Sequence, residues 1–170
     1  MDEIDEPVLN NNNLGLPSQS KSGDELSEKI GKLFLEQEYG ILCSQGDGQP
    51  YGSLMAFATT EDLACLIFIT QIETRKYSLL EKCKKVAFVV DNRSKYPQDM
   101  MKVEAVTATG ECRIVEESEL DRYKKVLLKR HPYLKDYTSA KSCRLFCMEV
   151  KRYFHVARLQ EVSQWQPLNI

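Results

Sequence analysis

The sequence predicts a mainly β protein with helices, an α+β domain built on a six-stranded antiparallel barrel. Between residues 39 and 159 most apolar side chains follow the two-residue period of strands. Short turns rich in Gly, Asp and Pro join the first strands, and such turns favour antiparallel pairing. Segments with a helical period stand at the start, after the third strand and after the fifth. Closure of the sheet into a barrel would remove exposed strand edges.

The first helix is expected to begin near Ser22, which can act as its N-cap. One apolar stripe follows at helical spacing, formed by Leu26, Ile30, Leu33 and Phe34. From Tyr39 the period becomes strand-like. The first two strands are predicted at 39–44 and 52–58, with a turn at 45–50 between them.

The middle of the chain contains two further strands and a short helix. Residues 63–70 are almost all apolar, as expected for a strand that is buried on both faces. A helix over 74–83 follows, with Thr74 as its predicted N-cap. The fourth strand is predicted at 86–90.

Two long strands and a helix complete the predicted domain. The fifth strand covers 103–115, and its core side is expected to consist of Val106, Ala108, Cys112 and Ile114. Ser118 and Asp121 resemble a capping box that opens a helix, which His131-Pro132 closes. The sixth strand covers 143–159, and five apolar residues are predicted to alternate onto one face: Phe146, Met148, Val150, Phe154 and Val156.

Composition and charge limit the function classes. Residues 1–21 are expected to be a flexible tail, 22–160 the folded domain and 161–170 a C-terminal tail. The first 25 of 170 residues hold six of the 25 acids and one of the 23 bases, which leaves 22 bases against 19 acids elsewhere. So small an excess predicts no phosphate-backbone footprint, and no aromatic residues cluster among the bases as a nucleic-acid-binding barrel would need.

The compartment is predicted to be the cytoplasm. The acidic start lacks the charge and apolar run of a signal peptide, and no apolar run reaches the length of a membrane span. Six cysteines spread through apolar runs indicate buried free thiols in a reducing environment. Cys143 and Cys147 would lie about 13 Å apart on a strand, too far to share one zinc ion, so no metal site is predicted.

The segment from Ile69 to Tyr77 carries the main chemical signal. A buried strand ends at Ile69 and Thr70, and a helix opens with Thr74, Arg75 and Lys76. A hydroxyl, free backbone N–H groups and two cations at one helix N-terminus can bind a phosphate dianion. Cations are unfavourable at that end of the helix dipole, so their presence indicates an anion. The alternative interpretation is a solvated helix start.

This segment resembles the phosphate-binding segment of the pyridoxamine 5′-phosphate oxidase-like, FMN-binding split-barrel family. Phe68-Ile69-Thr70, Thr74-Arg75-Lys76 and the strand at 86–90 follow in the family's order. Small flavin-binding members of the family share three more segments, at residues 91–94, 105–110 and 129–134. The resemblance extends from Gly40 to about Leu159.

The resemblance implies a six-stranded split barrel of the FMN-binding type and a homodimer with two FMN sites at the subunit interface. Arg75 and Lys76 would bind the phosphate, with the hydroxyls of Thr70 and Thr74 assisting and Ile69 beside them. The remaining implied contacts are the backbone of Tyr51, Gly52, Ser53 and Leu54 along the isoalloxazine edge, and Trp165 from the other subunit. Arg93 is the best candidate for a second anion contact.

The sequence differs from the oxidase at several functional positions, so the resemblance does not assign the reaction. Tyr51 stands where the oxidase has a basic residue, Ala105 lies near the place of its flavin-facing glutamine, and neither histidine sits in an Arg-x-His. We therefore expect an FMN-dependent oxidoreductase of unknown substrate, with negligible turnover of pyridoxamine phosphate and no catalytic residue assigned. The alternatives are a non-catalytic FMN carrier or sensor, and a haem-handling relative with His131 or His155 as axial ligand.

The last two strands also predict a dimer. They carry apolar residues on both faces, with Leu145 and Tyr153 opposite Phe146 and Phe154. Because a monomeric barrel has one interior, the second apolar face is expected to pack against another copy.

Overall fold

The structure, a computed structural model, describes residues 23–158 and 161–167. Its α-helices and strands, in chain order, are α1 (Gly23–Glu36), β1 (Tyr39–Gly46), β2 (Gln49–Ala56), β3 (Ala58–Thr59), β4 (Cys65–Gln71), α2 (Arg75–Lys82), β5 (Lys85–Asp91), β6 (Glu104–Ile114), α3 (Leu120–Arg130), α4 (Lys135–Ser139), β7 (Cys143–Ala157) and β8 (Glu161–Trp165). Single turns of 3₁₀ helix cover Arg93–Lys95, Met100–Lys102 and Pro132–Leu134.

The strands form one antiparallel sheet in the order β2-β1-β5-β6-β7-β4-β3, and β8 also pairs with β7. The two end strands, β2 and β3, are separated in the chain by Phe57 alone. Because one residue joins the two ends of the order, the sheet must curl round on itself. The result is a split barrel, and the predicted fold class is confirmed.

The strand β7 organises the barrel because it pairs along its whole length. Its first half pairs with β4, its second half with β8, and both halves pair with β6 on the other edge. The pairing with β6 shifts between Thr109 and Gly110, where Arg152 and Val150 are successive partners and Lys151 is left over as a bulge. A side chain at Gly110 would collide with the carbonyl of Glu149, so glycine is required there.

This bulge corrects the predicted face of the last strand. Phe146, Met148 and Val150 belong to the main core as expected, but beyond Lys151 the parity reverses and Tyr153 takes the core position. Phe154 therefore lies on the opposite face. A single extra residue has this effect because strand side chains alternate with a period of two.

The main core fills the barrel and is closed by α1. The predicted stripe of Leu26, Ile30, Leu33 and Phe34 is buried. Phe34 packs edge-on against Phe57 and Tyr153, with ring centroids 5.5 and 5.8 Å apart. The proposed N-cap Ser22 and the N-terminal tail lie outside the described residues.

A second, smaller core lies between the sheet and α3. Tyr123 and Leu127 of α3 pack on Ile67, Leu145 and Cys147. The face that carries Leu145 is thus covered by a helix of the same chain. Leu145 and Tyr153, which the dimer prediction invoked as a second apolar face, are both buried within the chain.

Three further expectations are corrected. The start of α3 has Glu119 as its N-cap without a side-chain capping bond, so the capping box of Ser118 and Asp121 is wrong. Ile114 is 43% exposed because β6 runs past Lys85, where β5 begins. Residues 161–165, assigned to a C-terminal tail, form β8, and the sheet has eight strands because β8 and the short β3 were not foreseen.

Within the described ranges, no helix has the length and the apolar composition that crossing a membrane requires.

Candidate functional site

Two threonines join the end of β4 to the start of α2. Thr74 is the N-cap of α2, as predicted, and its hydroxyl oxygen accepts from the backbone N–H of Tyr77 at 3.4 Å. The same hydroxyl donates to the carbonyl of Gln71 at 2.8 Å. Thr70 is 5% exposed, and its hydroxyl lies 3.2 Å from that of Thr74. Because the Thr74 proton is already donated to Gln71, Thr70 must be the donor between the two hydroxyls.

Arg75 and Lys76 are the first two residues of α2, and the first turn of this helix contains no acidic residue. In the described part of the chain no carboxylate forms a salt bridge with either cation. The Arg75 guanidinium carbon lies 5.0 Å from the centroid of the Tyr51 ring. This cation–π contact holds the Arg75 side chain beside β2 without neutralising its charge.

The hairpin between β1 and β2 fixes the position of α2. Asp47 and Gly48, with φ of 56° and 79°, form a two-residue turn that is tighter than the predicted one. Asp47 pairs with Lys82 in the last turn of α2 at 2.8 Å, and this hydrogen-bonded ion pair lowers the pKa of Asp47. Leu79 packs so closely on Gly46 that a side chain at Gly46 would collide with it.

The four predicted residues of β2 divide between its two faces. Tyr51 and Ser53 pair with Ser44 and Leu42, whose side chains point inward. Gly52 and Leu54 lie on the outer face, where Leu54 is 69% exposed. The structure therefore brings Tyr51 together with Thr70, Thr74, Arg75 and Lys76, and it places Leu54 on a different surface.

The other three predicted site residues lie elsewhere. Ile69 packs with the second core, on the face of β4 opposite Thr70. Arg93 follows β5, has a side chain that is 73% exposed, and pairs with Asp91 at 3.4 Å. Trp165 stacks on Tyr153 of its own chain with ring centroids 5.7 Å apart.

Strand register separates Arg93 from the α2 site. Thr70 is level with Arg144 at the start of β7. Asp91 is level with Ala105, which pairs with Val156 near the end of the same strand. Within one chain, the two positions therefore lie at opposite ends of the longest strand.

Both histidine rings are buried. His131 is 1% exposed, with Nε2 2.8 Å from the carbonyl of Phe57 and Nδ1 3.3 Å from the hydroxyl of Tyr133. Because Phe57 interrupts the strand, its carbonyl has no partner in the sheet, and His131 supplies the donor. The ring therefore has a structural role.

His155 lines a cavity that the sequence did not indicate. Its Nε2 lies 3.3 Å from Glu104, and the ring is 2% exposed. The cavity has a volume of about 300 Å³ and also contacts Lys29, Lys102 and Arg158. Two of these cations already have acidic partners, since Lys102 pairs with Asp99 and Arg158 with Glu161. Linear sequence contains no signal for this cavity, because its walls come from α1, the 3₁₀ turns and three strands.

Comparisons with known proteins agree with this fold. A family model described as pyridoxamine 5′-phosphate oxidase matches residues 26–157. No curated protein sequence matches the chain. Among solved structures, a heme-binding protein from Mycobacterium smegmatis superposes with a TM-score of 0.74 at 16% identity, over 86% of this chain and 59% of that one. This chain thus spans about three-fifths of that neighbour.

Two further solved structures share the fold. HutZ, the heme storage protein from Vibrio cholerae, has a TM-score of 0.63 and 18% identity, over 74% of this chain and 89% of that one. A FAD-binding protein from Mesorhizobium loti has a TM-score of 0.61 and 14% identity, over 76% and 92% of the two chains.

Proposed function

The chain belongs to the pyridoxamine 5′-phosphate oxidase family, and on this premise we propose that it binds FMN with the phosphate at the start of α2. The observation that supports this most directly is the arrangement of Thr70, Thr74, Arg75 and Lys76 around one helix N-terminus. Two cations that pair with no carboxylate of the described residues, placed against the helix dipole, leave a positive site that a phosphate dianion would neutralise.

The residues at this site suit a phosphate ester. The Arg75 guanidinium and the Lys76 ammonium would donate charge-assisted hydrogen bonds. The Thr70 hydroxyl would turn its proton from Thr74 toward a phosphate oxygen, while Thr74 keeps its capping role. Bound flavin would supply the redox chemistry, and the protein would supply binding and electrostatics. We therefore propose a flavin-dependent oxidoreductase whose substrate is unassigned.

The structural neighbours are named for two cofactors, FAD and heme, and these two cofactors need different residues to bind them. A haem iron with a histidine ligand needs an accessible imidazole nitrogen. Both nitrogens of His131 have partners, and the ring of His155 is 2% exposed. A flavin phosphate needs no histidine. The histidine geometry therefore supports flavin over haem.

We further propose that the molecule is a homodimer, and the outer face of the sheet supports this. A row of five neighbouring residues, one on each of five adjacent strands, contains no charged side chain: Leu54, Ile41, Val89, Thr107 and Phe154. None of the five belongs to either core cluster. An uncharged row of this width is typical of a surface that packs against a second copy. All six cysteines are unpaired, which supports a reducing, cytoplasmic compartment.

The visible spectrum of the purified protein tests the cofactor. We expect two flavin bands, and we expect the protein stripped of its cofactor to bind FMN at least tenfold more tightly than riboflavin, which lacks the phosphate. A Soret band without flavin bands would contradict the proposal. Equal affinity for FMN and riboflavin would show that the phosphate is bound elsewhere.

A further inference from the structure

The cavity beside His155 has the size of a site for a small molecule. Its volume of about 300 Å³ is at the lower end of the usual range for ligand sites, about 300–1,000 Å³. The cavity lies away from the proposed phosphate site. Glu104 in its wall is level with Ala157 at the end of β7, whereas Thr70 is level with Arg144 near the start of that strand. Within one chain, the two places are therefore at opposite ends of β7.

Two opposite charges in the wall of this cavity are not paired with each other. The charged residues that line it are Lys29, Lys102, Glu104, Arg158 and Glu161. Lys102 pairs with Asp99 at 2.9 Å, and Arg158 pairs with Glu161 at 3.2 Å. Among the described residues, Lys29 forms no ion pair, and the only ionisable partner of Glu104 is the ring of His155. The Lys29 ammonium and the Glu104 carboxylate are thus held apart in one cavity.

Glu104 is held in place on both its backbone and its side chain. Its N–H donates to the side-chain oxygen of Asn92 at 2.8 Å, and its carbonyl accepts from the Asn92 N–H at 3.1 Å. The carboxylate lies 3.3 Å from Nε2 of His155. Because a carboxylate only accepts, Nε2 is the donor of this bond. One long hydrogen bond leaves most acceptor sites of the carboxylate open, and the Glu104 side chain is 41% exposed.

Such a charge pattern suits a ligand that carries both charges. A ligand ammonium would donate to Glu104, and a ligand carboxylate would accept from Lys29. A simple anion would leave Glu104 without a cation, and a simple amine would leave Lys29 without an anion. A divalent cation is a poorer candidate, because no group of three His, Cys, Asp or Glu side chains in the described part of the chain could hold a metal ion.

We propose that this cavity binds a free α-amino acid with an apolar side chain. Its ammonium would lie on Glu104 and its carboxylate on Lys29, while His155 and Asn92 position Glu104. The apolar side chain of the ligand would contact the remaining wall, which consists of Tyr96, Met101 and Ala157. The proposal does not depend on the flavin, because no residue of the phosphate site at the start of α2 lines the cavity.

Calorimetric titration of the full chain, as purified, tests the proposal. L-Leucine, L-methionine and L-phenylalanine are the probes, and we expect at least one of them to bind with a Kd below about 1 mM. Its analogues without one charged group should bind about tenfold more weakly or worse; for leucine these are 3-methylbutylamine and 4-methylpentanoate. The proposal is overturned if none of the three amino acids binds, or if one analogue binds as tightly as its amino acid.

Three variants connect the binding to the named side chains. Glu104→Gln removes the negative charge and Lys29→Met the positive one, and each should weaken binding about tenfold or more. Lys32→Met is the matched control, because Lys32 is exposed on the same helix and does not line the cavity. Circular dichroism checks folding, and Lys29→Met changes an exposed residue, so it remains informative if Glu104→Gln does not fold.

An affinity in Lys29→Met equal to that of Lys32→Met would overturn the assignment. These titrations contain no added flavin, so their outcome is separate from the outcome of the FMN titrations that test the phosphate site.

Discussion

At the scale of single residues, contacts at the start of α2 hold the Arg75 side chain in place and leave its positive charge available to a phosphate. Arg75 contacts the Tyr51 ring and forms no ion pair with a carboxylate of the described residues, so its position is restrained while its charge stays available. The Thr70 hydroxyl donates to that of Thr74, which also caps the helix by accepting from the backbone N–H of Tyr77. These details give a direct prediction for FMN affinity.

Arg75→Ala or Lys76→Ala is expected to weaken FMN binding by about 1.5–3 kcal/mol each, the usual contribution of a charge-assisted contact. Titration of the apo-protein with FMN measures the change, and riboflavin affinity should stay nearly constant. Lys84→Ala, which removes an exposed cation just beyond the end of α2, is the matched control. FMN affinities equal to that of the parent in both variants would refute this placement of the phosphate.

Tyr153 presents a second prediction at this scale. Its buried hydroxyl donates to the carbonyl of Leu63 at 2.6 Å, and Leu63 has a φ of 59° that a bulky residue rarely adopts. Tyr153→Phe leaves that carbonyl without its donor and should cost about 1–3 kcal/mol of unfolding free energy. Urea denaturation measures the loss. Tyr137→Phe, at a residue that is 48% exposed, should change little, and equal stability of the two variants would contradict the assigned role.

At the scale of elements, ion pairs and arginine–carbonyl hydrogen bonds attach the helices to the sheet and to one another. Lys82 ties the end of α2 to the β1–β2 turn. Arg113 of β6 donates to both carboxylate oxygens of Glu119, the N-cap of α3, at 2.6 and 2.9 Å. Arg130 donates to the carbonyls of Phe34 and Gln37 at the end of α1.

The pair of Arg113 and Glu119 predicts a pH dependence. The hydrogen bonds from Arg113 lower the pKa of Glu119 below its ordinary value. A carboxyl whose pKa falls on folding stabilises the protein above its unfolded pKa of about 4.3, and this contribution disappears as the pH falls through the folded value. Glu119→Gln should therefore lose less stability than the parent between about pH 5 and about pH 3. Thermal unfolding across that range is the measurement, and parallel curves would show that the pair does not contribute.

At the scale of the whole molecule, the uncharged row on the outer face of the sheet predicts an obligate dimer. Sedimentation at micromolar concentration should give twice the chain mass of 19.6 kDa. Leu54→Glu places a charge at the exposed end of that row and should give a folded monomer. Leu35→Glu, at a residue of α1 that is 77% exposed, should stay dimeric. A parent protein that is monomeric while holding flavin would disprove the dimer.

The molecule as a whole also predicts negligible turnover of pyridoxamine phosphate. An oxidase for that substrate needs one anion site for the flavin and another for the substrate. Within the described residues of one chain, Arg93 lies at the far end of the sheet from Arg75 and pairs with Asp91. We expect that dithionite reduces the bound flavin. We also expect that the protein forms no pyridoxal phosphate from pyridoxamine phosphate in the presence of oxygen. Rapid formation of that product would make Arg93 the first residue to mutate.

Local patterns were sufficient for much of this protein. Side-chain period, turn chemistry and residue spacing predict the stripe of α1, the Thr74 cap, the order of six strands and three helices, and the cluster at Thr74-Arg75-Lys76. Each depends on residues a few positions apart, and linear sequence records such relations directly.

Tertiary structure decided what depends on residues far apart in the chain. The bulge at Lys151 moved Tyr153 into the core and Phe154 out of it, because strand parity is set by the pairing with β6. The contacts of Tyr51 with Arg75 and of Cys65 with Tyr123 depend on how the helices pack on the sheet. Within one chain, the same packing places Arg93 and Thr70 at opposite ends of β7, since distance in the fold is set by register and closure and not by position along the chain.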